Sequence, residues 1–222
     1  MRKRTLLWMI FAALSVSLAA AQSNFPRYNF DIAGGYGLGR GAVSQFVGDS
    51  YQIEAGAGMN FNRMFGFNGE YMYYNLDLKQ SVANAQGINN ASGKLNVWSL
   101  NGLVRSPIHL GDYGAYGIFG VGFYQRVVSS TTGLIHAGAI CQPAWVWWDI
   151  YCVPPGAGGN VLTAQPMLSN TKVAGGFNAG GGLTYRLHRF HNASIFAEFR
   201  YHRAYTSDVT TTVMPISAGF RW

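Results

Sequence analysis

The chain has 222 residues, with 16 Lys and Arg against nine Asp and Glu, a formal net charge of +7 and a pI near 9.5. Charged residues are only 11% of it, whereas apolar types reach 49%, with 29 Gly, 13 Tyr and 14 Phe, a balance ill suited to a surface facing water. The basic excess is scattered, without a basic run or a nucleic-acid motif, so DNA and RNA find little support as partners.

Met1-Arg2-Lys3-Arg4 precede an apolar stretch from Leu6 to Leu18 that closes on Ala19-Ala20-Ala21. This order predicts a secretory signal peptide over residues 1–21, cut after Ala21, and a mature chain from Gln22. A retained membrane anchor is the competing reading, but the stretch is short and diluted by Ser15 and Ser17. No Cys stands just after the cut to accept a lipid. Without residues 1–21 the chain keeps 13 basic residues against nine acidic, a net charge of +4, so the high pI partly reflects targeting. Further on, no segment supplies the ~18 consecutive apolar residues that a membrane helix needs. The apolar material is cut into short pieces by Gly, Asn and Ser, and inside lipid the other structure that satisfies its own backbone is a closed barrel.

The pieces alternate with period two, the signature of strands with one apolar and one small or polar face. The first sets Tyr28, Phe30, Ile32, Tyr36 and Leu38 against Asn29, Asp31, Ala33, Gly35 and Gly37. The second sets Tyr51, Ile53, Ala55, Ala57, Met59 and Phe61 against Gln52, Glu54, Gly56, Gly58 and Asn60. Phe65 to Tyr74 follows, with Asn68, Glu70, Met72 and Tyr74 on the second face, then Trp98 to Arg105, with Ser99, Asn101, Leu103 and Arg105 there. The fifth, from Tyr113, opposes Phe119, Val121 and Phe123 to Tyr116, Ile118, Tyr124 and Arg126, a less pure division. The last three run from Lys172 to Arg186, from Ile195 to His202 and from Met214 to Trp222, placing Asn178, Arg186, Glu198, Arg200, His202 and Arg221 on the polar face.

Eight strands result, joined alternately by short and long connections. The short ones cover 62–64, 106–112 and 187–192; the long ones cover 40–50, 79–93, 129–171 and 203–211. Transmembrane barrels pair short periplasmic turns with long external loops, which predicts both termini in the periplasm. A soluble barrel would alternate too, but it has no rule for where aromatics sit. Here Tyr28, Tyr113, Tyr185 and Trp222 gather at one end of the apolar faces, and Tyr36, Tyr51, Tyr73, Trp98 and Tyr201 at the other, as rings at two lipid–water interfaces do. The fold class is therefore all-β, an eight-stranded antiparallel up-and-down transmembrane β-barrel spanning residues 22–222 as one domain.

The chain closes Met214-Pro215-Ile216-Ser217-Ala218-Gly219-Phe220-Arg221-Trp222, apolar at alternate positions and ending on an aromatic. Together with Phe196 to Tyr201 and the Gly-rich Tyr116 to Tyr124, it resembles the OmpA-like and OmpX-like bacterial outer-membrane barrel domains over essentially all of Tyr28 to Trp222. The resemblance implies a Gram-negative type of bacterium, residence in the outer membrane among its lipids and lipopolysaccharide, and Phe220 and Trp222 as a signal for the barrel-assembly machinery. It also implies a network of interior Arg and Glu at Glu70, Glu198 and Arg200. It implies neither catalysis nor a cofactor, and the resemblance does not extend to OmpA's periplasmic cell-wall domain.

The inward charges are Asp31, Glu54, Glu70, Glu198, Arg105, Arg126, Arg186, Arg200 and Arg221, with Glu54 joining Glu70, Glu198 and Arg200 as the expected ion network. An eight-stranded barrel is just wide enough for side chains to fill, so these charges either pair into a plug or line a narrow ion path. Cys141 and Cys152, ten residues apart by the exclusive count in the longest loop, read as a disulfide in an oxidising compartment, with two free thiols as the alternative. Between them Trp145, Trp147, Trp148 and Tyr151 form an aromatic cluster that either packs on the rim or meets a partner or lipopolysaccharide. His188 and His191 stand three apart with no Cys or carboxylate near in sequence, which argues against a metal. His202 would suit a rim-located lipid-modifying enzyme, yet Arg203-Ala204-Tyr205 follow it where a Ser is wanted.

Overall fold

An alternating segment buries one face only if its backbone groups are bonded along both edges, and inside lipid water cannot stand in for a missing neighbour. The computed structural model describes residues 25–45, 47–76, 79, 81, 89–108, 110–131, 140–143, 150–153, 168–188, 193–205 and 210–222. In it eight strands satisfy each other: β1 (Tyr28–Arg40), β2 (Ser50–Asn60), β3 (Phe65–Asn75), β4 (Asn89–Arg105) and β5 (Tyr113–Thr131), then, past the short strands β6 (Ile140–Pro143) and β7 (Ile150–Val153), β8 (Leu168–Arg186), β9 (Ser194–Ala204) and β10 (Thr211–Arg221). The eight close into a barrel in the order β1-β10-β9-β8-β5-β4-β3-β2, each neighbour antiparallel. β6 and β7 pair only with each other, as a hairpin within the β5–β8 connection. The expected signal peptide, residues 1–21, lies outside the described residues.

The faces are those that the alternation predicts. Phe30, Ile32, Ile53, Leu100, Phe119, Val121, Phe123, Leu183, Phe199, Ile216 and Phe220 are all exposed on the outside, whereas Asn29, Asp31, Gln52, Glu54, Asn68, Glu70, Asn101, Glu198 and Arg200 are buried inside. The strand lengths differ from expectation. β4 begins at Asn89 rather than Trp98, β5 runs on to Thr131 and β8 starts at Leu168, so the longest connection spans 132–167 instead of 129–171. These segments are rich in Ser, Thr and Asn and show little apolar alternation, yet their main chains stay laddered, as at Ser92↔Ser129 and Ser129↔Ser169. The three neighbours β4, β5 and β8 have 17, 19 and 19 residues against 11 in β2, β3, β9 and β10. At about 3.4 Å per residue, one wall of the barrel stands about 20–27 Å of strand taller at the end that carries the long connections.

The ladder between β10 and β9 is interrupted. Pro215 pairs with Gly37 of β1, but the ladder from β10 to β9 skips Met214 and Pro215, because proline has no N–H to donate. The interior is layered. At the long-loop end Val43, from the 3-10 turn at Gly41–Gln45, and Val47 pack on Met72, Tyr74, Leu76, Leu95, Val97, Tyr124 and Val213. Nearer the short-turn end Ala33, Leu103, Tyr116, Ile118 and Phe196 form a second apolar cluster. Charged residues lie between them.

Candidate functional site

Arg200 sits on the inward face of β9 and is 1% exposed. β9 and β3 are diametrically opposed in the strand order, so a side chain long enough to cross the lumen reaches Glu70. Arg200 Nη1 donates to Glu70 Oε2, and its Nη2 donates to Glu70 Oε1 at 3.0 Å. Its Nε donates to Glu198 Oε1, two residues back on the same face. This is the planar fork of arginine holding two carboxylates at once.

Neutral groups occupy the remaining lone pairs. Asn68 Nδ2 donates to Glu70 Oε1 at 2.8 Å and Asn101 Nδ2 to Glu70 Oε2 at 2.7 Å, while the Tyr116 hydroxyl donates to Glu198 Oε2 at 2.7 Å. Asn178 Nδ2 extends the chain to Asn101 Oδ1 at 2.8 Å. A second charged pair lies beside the first: Arg221 Nε is 3.7 Å from Asp31 Oδ2, which also accepts from Asn68 Nδ2 at 2.7 Å. The Arg221 guanidinium is sandwiched by the Tyr116 and Phe196 rings, 4.8 Å and 4.7 Å from their centroids. Such contacts offset the desolvation that burying these charges costs.

Glycine makes room for the network. Gly180 of β8 stands opposite Arg200, and a Cβ there would lie 2.8 Å from Arg200 Cγ. Gly56 of β2 separates Asp31 from Glu70, and a Cβ there would come within 2.5 Å of Asp31 Oδ1 and 2.7 Å of Asn68 Nδ2. The small members of the inward face are therefore the positions across which its large members lie.

The structure brings Glu70, Glu198 and Arg200 together and leaves Glu54 at the margin, buried in the same lumen with no hydrogen-bond partner for its Oε1. Gln52, beside it on the inward face of β2, has neither side-chain polar atom partnered. His202 is buried between the Tyr74 and Tyr124 rings, its Nδ1 3.1 Å from the Tyr124 hydroxyl and its Nε2 unpartnered. Charge-based reading of the sequence missed Asn68, Asn101, Tyr116 and Asn178, whose signal was their place on the inward face. Phe220 and Trp222 are exposed on the outside, and Trp222 is bonded to Phe30 through both main-chain groups, N to O at 2.9 and 3.0 Å. Cys141 and Cys152 face each other in the β6–β7 register, and Tyr151 lies in the same hairpin opposite Gln142. Trp145, Trp147 and Trp148 lie outside the described residues. His188 Nε2 is 3.3 Å from Asp112 at the short-turn end, and among the described residues no group of three His, Cys, Asp or Glu could hold a metal ion.

A family model described as the outer membrane protein beta-barrel domain matches residues 8–221. Comparison with curated proteins finds no match. Among solved structures, neisserial surface protein A is 12% identical with a TM-score of 0.53, over 87% of this chain and 95% of that one. A major outer membrane protein of Thermus thermophilus is 13% identical with a TM-score of 0.55, over 89% of this chain and 99% of that one. At these identities the likeness is one of fold.

Proposed function

Because this chain belongs to the outer membrane protein beta-barrel domain family, and so resides in the bacterial outer membrane, we propose that it is a plugged barrel with a structural or surface-interaction role. It acts through the long connections, which face outward while both termini face the periplasm. The observation that carries the reading is the buried Arg200 bridging Glu70 and Glu198 across the lumen beneath an apolar lid. A non-enzymatic role is supported by His202, whose burial between two tyrosines denies it a substrate at the rim. Residues 1–21 are a signal removed on export from a Gram-negative type of cell, and the barrel-assembly machinery reads Phe220 and Trp222.

The test is planar-bilayer recording of the refolded mature chain. No steady conductance is expected. Regular open steps from the parent protein would instead establish a narrow channel, the second reading. That reading is favoured by Gln52, Glu54 Oε1 and His202 Nε2, whose unpartnered atoms call for water in the upper lumen.

The hairpin in the longest loop is closed by a Cys141–Cys152 disulfide. Facing residues of an antiparallel pair have Cα atoms about 4.5–5.5 Å apart, inside the ~4.4–6.8 Å that a disulfide spans. Closing so small a loop stabilises it by about 3 kcal/mol in the chain-entropy account. Trp145, Trp147 and Trp148 then belong to a stapled loop that meets lipopolysaccharide or an external partner. Maleimide labelling of the unreduced mature protein is expected to modify neither Cys, and labelling of both without reductant would refute the bridge.

A further inference from the structure

On β1, β10 and β9 every outward residue from the short-turn end up to Leu38, Met214 and Tyr201 is uncharged. Tyr36, Ile216 and Phe199 are exposed within this wall. The wall ends at one row. Arg40 pairs with Thr212 and Thr212 with Arg203, and all three occupy outward positions, with both arginines exposed. A strand spacing of about 4.8 Å puts the two arginine Cα atoms about 10 Å apart, with the threonine between them.

Neither arginine has a carboxylate within ion-pair distance among the described residues. Arg203 rests instead over the Tyr205 ring, 5.7 Å from its centroid, and Tyr205 and Tyr201 each lie 6.1 Å from Phe177. The row also stands at a definite height. Arg40 closes a 13-residue strand that begins at Tyr28, and about 40 Å of strand tilted by about 40° rises about 30 Å, just past the ~25 Å apolar band of such barrels.

Two guanidinium groups without a carboxylate partner among the described residues, flanking a hydroxyl directly above an apolar wall, complement an anion that is tethered to acyl chains. Arginine's planar fork suits phosphate, and its low hydration suits the edge of a membrane. We propose that Arg40, Thr212 and Arg203 bind the phosphate of an outer-leaflet lipid headgroup, whose acyl chains lie against Tyr36, Ile216 and Phe199. The proposal rests on the reading above that the long-loop end faces outward.

The test is native mass spectrometry of the refolded mature chain in detergent, titrated with diphosphorylated lipid A and with the same lipid stripped of phosphate. The parent is expected to retain the phosphorylated lipid selectively. Arg40→Gln/Arg203→Gln is expected to weaken that retention about thirtyfold, at about fivefold for each charge lost at a membrane surface. Arg63→Gln, an exposed arginine at the short-turn end, should leave retention unchanged. Heat-modified gel migration verifies that each variant is folded. Equal retention of both lipids by the parent, an unaffected double variant, or displacement of the lipid by millimolar inorganic phosphate would each overturn the site. Membrane-impermeant maleimide on intact cells separates the two readings: Arg40→Cys is expected to label above the parent. Labelling of Arg40→Cys together with no lipid selectivity in the parent overturns the phosphate site alone, whereas selectivity of the parent in vitro with no labelling of Arg40→Cys overturns the outward orientation and with it the outer-leaflet assignment.

Discussion

Replacing Arg200 by Met is expected to destabilise the folded barrel by about 3–5 kcal/mol, the scale for removing one partner of a buried ion pair. Methionine keeps most of the volume and the apolar stem, so the loss is chiefly electrostatic. Glu70 and Glu198 would lose three donated hydrogen bonds between them, in a lumen that also buries Asp31 and Glu54. Arg221 does not replace the missing cation, because it is held over Tyr116 and Phe196 next to Asp31. Urea unfolding in lipid vesicles should show a lower midpoint at an unchanged slope.

A second substitution identifies the cause. Glu70→Gln removes a carboxylate from the same cluster, so Arg200→Met/Glu70→Gln should be less destabilised than the two single changes combined, a coupling expected between groups in direct contact. Strict additivity would mean that the Arg200–Glu70 contact does not carry the stability. An Arg200→Met variant as stable as the parent would remove the support for a plugged lumen, and steady conductance from the parent would then make the channel reading the better one.

Period two is a strict rule, because a one-residue slip turns every side chain to the wrong face. That is why the inward and outward sets, and the meeting of Arg200 with Glu70 and Glu198, were legible in the sequence. The closing order helped: strands three and seven of an eight-stranded up-and-down barrel are necessarily opposite. Other features depend on what alternation does not encode. Asn68, Asn101 and Asn178 are uncharged amides on a face full of small polar residues, and only register shows that two of them converge on Glu70. Glu54 was grouped with the ion network by charge and face, yet the donors of Arg200 are directed to Glu70 and Glu198. The extra height of β4, β5 and β8 escaped because its segments are mostly polar, and the one alternating stretch there, Leu95 and Val97, is too short to mark a strand. The Arg40–Thr212–Arg203 row joins residues from both ends of the chain, so it exists only once β1 meets β10.

Deleting Phe220, Arg221 and Trp222 is expected to abolish the folded barrel altogether. β10 is the strand that closes the sheet, and these residues form its short-turn end on both edges. Trp222 exchanges main-chain hydrogen bonds with Phe30, Phe220 pairs with Ile32 and Ile195, and Arg221 pairs with Asp31 and Ser194. Without them β1 and β9 would present unpaired N–H and C=O groups at membrane depth, each costing several kcal/mol in lipid. The deletion also removes the Arg221 guanidinium from between Tyr116 and Phe196 and leaves Asp31 without its cation. The measured outcome should be loss of the heat-modifiable band from outer membranes, with export to the periplasm intact. Phe220→Ala/Trp222→Ala separates the seam from the assembly signal, since it keeps every main-chain bond and the Arg221 side chain. This double variant should refold in detergent yet fail to reach the outer membrane in cells, because only the exposed aromatic pattern has gone. Assembly of both variants at parental levels would show that neither the seam nor the terminal aromatics are needed. If the deletion fails and the alanine variant assembles normally, the need is for backbone closure alone, and Phe220 and Trp222 are lipid-facing residues of the girdle without a part in recognition.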